Sequence, residues 1–220
     1  MKKILFVIAL CSHFFVHGAG TLIYLKGKVR VSGKKAKLHQ IINNGQQVVT
    51  GNNSLAIIEL ANGSKVKLEK NSKLTIKKTS KKAVRVDLAS GQVFFNVVKS
   101  KLKSNRSSFV VKAGTVAMGV RGTEFFVALS SHGKKKNKKR DVWMCVKEGL
   151  VAIKGTKDKK VVLVKEGEGV VSGVSGTTSK PKPLAWTKKL NWNMDAKTGE
   201  VVNKVSIEEA YSDLLDQDYD

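Results

Sequence analysis

Few side chains in this 220-residue sequence could carry catalysis. His13, His17 and Cys11 fall within the first eighteen residues, which leaves His39, His132 and Cys145. A catalytic triad needs an imidazole held beside a hydroxyl or thiol. His39 lies two residues after Lys37 and His132 precedes a lysine run, both settings of surface residues. A zinc site built from these two histidines and Cys145 needs a fourth ligand, and the spacing offers none. Glu148, Glu166 and Glu168 could meet for paired-carboxylate chemistry, but each adjoins a glycine, where a solvated turn carboxylate is the plain reading. There is no Gly-x-Ser-x-Gly elbow, no phosphate loop ending in Gly-Lys-Ser/Thr and no His-Glu-x-x-His pair. The residues predict no enzyme, no metal and no cofactor.

What the sequence has in excess is positive charge. Forty-one Lys and Arg stand against 17 Asp and Glu, a net +24, which points toward polyanions or other acidic partners. At 41% hydrophobic residues the chain is too apolar for wholesale disorder. Lys2 and Lys3 precede an apolar run from Ile4 to Cys11, and Gly18, Ala19 and Gly20 follow. A positive start, a short apolar stretch and small residues describe a secretory signal peptide over 1–20. The expectation is export to the periplasm or beyond the cell, with cleavage between Gly18 and Thr21. No later stretch reaches the eighteen apolar residues of a membrane span. A lone Cys145 in an oxidising compartment is either buried or reactive. Its apolar surroundings, Val142-Trp143-Met144-Cys145-Val146, favour burial.

These residues sit on short strands. Between 22 and 171 the text alternates apolar runs with turn signals about every ten residues. Val29 and Val31, Val66 and Leu68, Leu74 and Ile76, and Val84, Val86 and Leu88 place apolar side chains on one strand face. Lys65, Lys67, Lys73, Lys77 and Arg85 then fall where a half-buried sheet meets solvent. Asn43-Asn44-Gly45, Asn62-Gly63-Ser64, Ser90-Gly91 and Glu148-Gly149 are the turn signals, and Asn-Gly fits a tight hairpin. The pattern predicts an all-β domain of many short strands, as a two-layer sandwich or a solenoid-like stack. Lys134, Lys135, Lys136, Lys138, Lys139 and Arg140 crowd six cations into seven residues. That run reads as a solvated hairpin tip or a polyanion contact.

The densest pattern runs from 109 to 127 and centres on Val120-Arg121-Gly122-Thr123-Glu124-Phe125. With Gly27-Lys28-Val29-Arg30-Val31, Ser54-Leu55-Ala56-Ile57-Ile58, Leu60-Ala61-Asn62-Gly63-Ser64 and Ser90-Gly91-Gln92-Val93-Phe94 before it, and Val146-Lys147-Glu148-Gly149 after it, the sequence resembles the FecR domain family over 21–175. Ala113-Gly114 and Gly45-Gln46 depart from the family's usual Thr-Pro and Gly-Asp, both at turns. The resemblance implies an exported all-β binding domain. It does not carry over sigma-factor control, because the anti-sigma and membrane segments of the best-known members are not seen here. The residues themselves suggest that Gly122 permits a bend, with Arg121 and Glu124 pairing across it.

After 175 the composition changes. Pro181 and Pro183 mark a linker, and Trp186, Leu190 and Met194 fall four apart, with Trp192 nearby, as on a helix packed against the domain. Residues 176–205 read as this linker and extension, and 206–220 as an acidic tail with six acids and no base. Ser206 and Glu209 fit a capping box. Ile207, Tyr211, Leu214 and Leu215 fit one apolar helical face, suited to docking on this domain or a partner. Residues 19–205 then carry 39 cations against 11 acids, a net +28. Two readings follow. One is a non-enzymatic envelope module recognising a protein or an anionic glycan through its basic sheet face. The other is a charge-driven polyanion binder, for acidic polysaccharide or extracellular nucleic acid. Aromatics make up only 6% and avoid the basic runs, which counts against stacking on nucleic acid.

Overall fold

The computed structural model describes residues 18–80, 83–99, 108–131 and 140–205. These form short strands and one 3-10 turn. In chain order they begin with β1 (Gly20–Lys26), β2 (Val29–Val31), β3 (Lys34–Lys35), β4 (Ile41–Ile42), β5 (Gln47–Thr50) and β6 (Leu55–Leu60). Next come β7 (Lys65–Leu68), β8 (Lys73–Thr79), β9 (Ala83–Val97), β10 (Ser108–Ala113), β11 (Val116–Val120) and β12 (Thr123–Ser131). The last are β13 (Arg140–Glu148), β14 (Leu150–Gly155), β15 (Val162–Lys165), β16 (Glu168–Ser172) and β17 (Lys182–Pro183). The 3-10 turn spans Ala185–Lys189. No helix among the described residues is long and apolar enough to cross a membrane.

Two layers result. Sheet A runs β4-β1-β6-β7-β9-β12-β13-β16-β17. Sheet B runs β3-β2-β5-β8-β9-β10-β11-β14-β15. The pairings are antiparallel except β9 with β10. The all-β, two-layer expectation holds. Leu22, Ile58, Phe95 and Val127 from sheet A meet Val48, Leu74, Val111 and Ile153 from sheet B in one buried cluster. Burying each such side chain contributes roughly 1.5–3 kcal/mol. Phe95 stacks on Phe125 at 4.8 Å between centroids.

Strand β9 belongs to both layers, and here the turn reading fails. Ser90-Gly91 is not a turn: Ser90 pairs with Lys73 in sheet B, Gly91 pairs with Leu129 in sheet A, and the strand continues. Gly91 takes φ +84°, and a Cβ there would overlap Ser72. The same Ser72 bridges the corner, its Oγ donating to the Gln92 carbonyl at 3.0 Å and accepting from Gln92 N at 2.9 Å. A glycine bend of this kind lets one strand change sheets. Asn62-Gly63 does close a same-sheet hairpin, β6 to β7. Asn44-Gly45 and Glu148-Gly149 instead join strands of opposite layers, from β4 to β5 and from β13 to β14. Local residue type sets the bend, but partner strands set the sheet.

Candidate binding site

The two layers differ on their outer faces. Sheet B alternates, so β8, β9, β10 and β11 bury one face and leave Lys73, Arg85 and Lys112 exposed on the other. Sheet A contains unbroken apolar runs, Leu55 to Ile58 and Phe125 to Leu129 among them, which is the pattern of a sheet covered on both faces. Its outer face carries a second buried cluster: Leu55, Ile57, Phe94, Phe126, Trp143 and Cys145, capped by Leu184, Leu190, Met194 and Val201.

One row across this face is Tyr24, Ile57, Lys67, Phe94, Phe126 and Cys145. A lysine therefore stands in the middle of an apolar row, and Lys67 is 0% exposed. This overturns the expectation that it faces solvent. Its ammonium donates to the carbonyls of Asn191 at 2.5 Å, Asn193 at 3.1 Å and Val201 at 3.0 Å. It also lies 4.3 Å from the Phe94 ring centroid. Three donors meet three acceptors, which is what a buried ammonium requires.

Those carbonyls belong to a strap, residues 184–205, laid over sheet A. The predicted helix is absent: beyond the turn Ala185–Lys189 the strap is irregular. The reason is the side chains at alternate positions. Asn191 Oδ1 accepts from Asn193 N at 2.9 Å, Asn193 Oδ1 from Asp195 N at 2.9 Å, and Asp195 Oδ1 from Lys197 N at 3.0 Å. Short polar side chains that bond nearby backbone N–H groups compete with a helix. Gly169 admits the strap, since a Cβ there would overlap Leu184. Leu190 and Met194 do pack on the domain.

Beside the strap lies a cavity of about 480 Å³, within the usual range of small-ligand sites, about 300–1,000 Å³. Lys26, Lys70 and Lys204 are its exposed cations; Leu55, Val202 and Val205 are its apolar patch; Asn53, Ser54, Gln92 and Asn203 supply polar groups. Glu69 lines it too and is only 7% exposed. Its Oε1 is buried with no hydrogen-bond partner among the described residues, 3.8 Å from Lys67 Nζ. Burial pushes the Glu69 carboxyl up to about 7, against the pull of the Lys67 charge. Burial likewise lowers Lys67 to about 8, against the pull of Glu69. The layer corner builds this edge: Thr50 Oγ1 donates to the Glu69 carbonyl at 2.6 Å, and Glu69 N donates to the Gln92 carbonyl at 3.0 Å. Sequence reasoning missed the site. The unbroken apolar runs of sheet A were its available signal, because they require a second cover.

The motif at 120–125 lies elsewhere. Arg121 and Gly122 form the corner from β11 in sheet B to β12 in sheet A, with Gly122 at φ +61°. Thr123 is buried and its hydroxyl donates to the Leu150 carbonyl at 3.0 Å, tying this corner to the one at Gly149. Val120 and Phe125 enter the inter-sheet core. Glu124 does not pair with Arg121. It takes Lys147 Nζ at 2.6 Å and accepts from Asn96 Nδ2. Arg121 is exposed, and the register explains the exchange: Asn96 stands opposite Glu124 on β9.

His39 is exposed at a turn with φ +61°. Glu148 and Glu166 are exposed, and Glu168 caps its own turn by accepting from Lys165 N at 2.8 Å. Cys145 is fully buried, its thiol pushed up to about 12 by loss of solvent. Residues 134–139 of the basic run and 206–220 of the tail, with Ile207, Tyr211, Leu214 and Leu215, lie outside the described residues, as does most of the signal-peptide stretch. Arg140, which ends the basic run, starts β13.

Two crystal structures described as "a putative anti-sigma factor" from Parabacteroides distasonis are similar to this chain, each at 16% identity, with TM-scores of 0.49 and 0.48. Each comparison covers 62% of this chain, which spans 59% of the length of the solved chain it matches. No curated protein matches. The stretch from just before β5 to just past β12, residues 46–137, matches the FecR protein family.

Proposed function

We propose that this protein is an exported, non-catalytic binding module that takes an anionic, hydroxyl-bearing ligand, an acidic glycan, in the cavity beside the strap. One observation carries the reading: the exposed Lys26, Lys70 and Lys204 line one cavity together with the polar side chains of Asn53, Gln92 and Asn203. Lysine ammonium groups suit the acid of a uronic or phosphorylated sugar. Gln92, Asn53 and Asn203 suit its hydroxyls, and Leu55 and Val202 suit its apolar ring face. Glu200 tempers the rim by pairing with Lys204 at 2.9 Å.

Export to the periplasm or beyond the cell rests on the order of lysines, apolar run and small residues at the start. Ala19 is buried and its N–H donates to the Ile42 carbonyl at 2.7 Å. Cleavage after Gly18 keeps that bond and all of β1, so it is the position this reading favours.

The test is titration with an oligomer of uronic acid at several salt concentrations. Lys26→Glu with Lys70→Glu should weaken binding at least about tenfold, the loss of one charge-assisted hydrogen bond or more. Both side chains are exposed, so the fold should be unaffected. A second reading, charge-driven polyanion binding, is favoured by the outer face of sheet B, where Arg30, Lys73, Arg85, Lys112 and Lys154 are exposed. It expects a steep log-linear salt dependence and sensitivity to Lys112→Glu with Lys154→Glu instead.

A further inference from the structure

We infer that the chain's own acidic segment, residues 206–220, seats in the strap cavity and competes there with an external anion. The inference rests on the reading of that cavity as an anion-accepting site. Three observations carry it. Val205, the last described residue, lines the cavity together with Val202, Asn203 and Lys204, so the described chain ends at its wall. A segment tethered so closely has an effective concentration in the millimolar range. Second, the segment holds six acids and no base, while the exposed charges lining the cavity are Lys26, Lys70 and Lys204. Third, the cavity is amphipathic, and so is the segment. Leu55, Val202 and Val205 match the apolar series Ile207, Tyr211, Leu214 and Leu215. The tail's acids thus stand in for the acid of an external ligand, and that ligand must displace them.

Zero-length carbodiimide coupling of the full chain, mapped by peptide mass spectrometry, tests this directly. The reagent joins a carboxylate to an amine only where the two touch. The expected result is that Glu208, Glu209, Asp213 or Asp216 couples to Lys26 and Lys70 far more than to the exposed Lys112 and Lys154 of sheet B. The yield should not change on dilution and should fall in 0.5 M salt, where exposed charges are screened. Coupling spread evenly over the four lysines, or none at Lys26 and Lys70, overturns the inference. A variant with the six acids changed to Asn and Gln should bind oligouronate about tenfold more tightly if the tail fills the cavity nine-tenths of the time. Unchanged affinity overturns the competition. The two ideas fail separately. Coupling at Lys26 and Lys70, with oligouronate binding insensitive to their reversal, retires the glycan and keeps the tail contact. Scattered coupling with sensitive binding does the opposite.

Discussion

Lys67 Nζ and Glu69 Oε1 lie 3.8 Å apart, both buried, yet neither is satisfied by the other. Lys67 directs its donors to the strap carbonyls of Asn191, Asn193 and Val201. Glu69 keeps an oxygen without a hydrogen bond. Desolvation therefore outweighs the attraction in both shifts, and the pair serves the strap more than itself.

Lys67→Met should lower stability by about 3 kcal/mol or more, because three strap carbonyls lose their donor and the buried Glu69 loses its cation. Urea unfolding measures the loss. Hydrogen exchange should locate it in residues 190–205, ahead of the inter-sheet core. A variant as stable as the parent, with its strap equally protected, would show that the clamp contributes nothing.

The pair also sets a pH profile. Glu69 titrates at about 7 in the fold against 4.5 for its ordinary value, so between those values the folded state holds the extra proton. Stability from Glu69 is then present below about 4.5 and is lost as pH rises to 7. Lys67 titrates at about 8 against 10.5, so between those values the unfolded state holds the extra proton and stability rises with pH. Together they predict a shallow minimum between pH 7 and 8, on the order of 1–3 kcal/mol below the flanks. Urea midpoints from pH 4 to 10 would trace it. In Glu69→Gln the fall between 4.5 and 7 should vanish, and its persistence would remove Glu69 as the cause.

At the 120–125 motif, Glu124→Ala should destabilise by about 1–2 kcal/mol, since Asn96 and Lys147 both lose a charged partner. Arg121→Ala should stay within about 0.5 kcal/mol, as an exposed residue away from such features does. Equal melting temperatures for the two variants would contradict this division of roles.

Gly91 and Gly45 share φ near +85°, but only Gly91 is crowded, by Ser72 and the Asn71 carbonyl. Ala at Gly45 should cost about 1 kcal/mol from backbone strain alone. Ala at Gly91 should cost clearly more, because the strand must also move off Ser72. Thermal melts of the two variants decide it, and equal losses would mean that the bend tolerates a side chain.

Cys145 should resist alkylation in the folded protein and react only as fast as the chain unfolds, given its burial and a thiol pushed up to about 12. Iodoacetamide labelling across a urea series measures this. Rapid labelling in native buffer would place the thiol at a surface.

Much of this architecture is written locally. Val84, Val86 and Leu88 alternate with Arg85 and Asp87, and period-two burial follows from strand geometry alone. Gly63 and Gly122 mark bends because positive φ is a property of one residue. The burial of Cys145 could be read from its apolar neighbours. Which layer a strand joins could not be read, and Gly91 is the example: a turn residue by type, it is a mid-strand corner because β8 and β12 capture the two halves of β9. Nor could Lys67 be placed. Its Lys-Val-Lys-Leu strand reads as a solvated face, and only a strap more than one hundred residues later turns that face inward. The cavity shares this origin, with Lys26, Glu69, Gln92 and Val205 drawn from four distant segments. Sequence spacing encodes contacts along a strand, whereas contacts across the fold exist only once both faces of sheet A have found their covers.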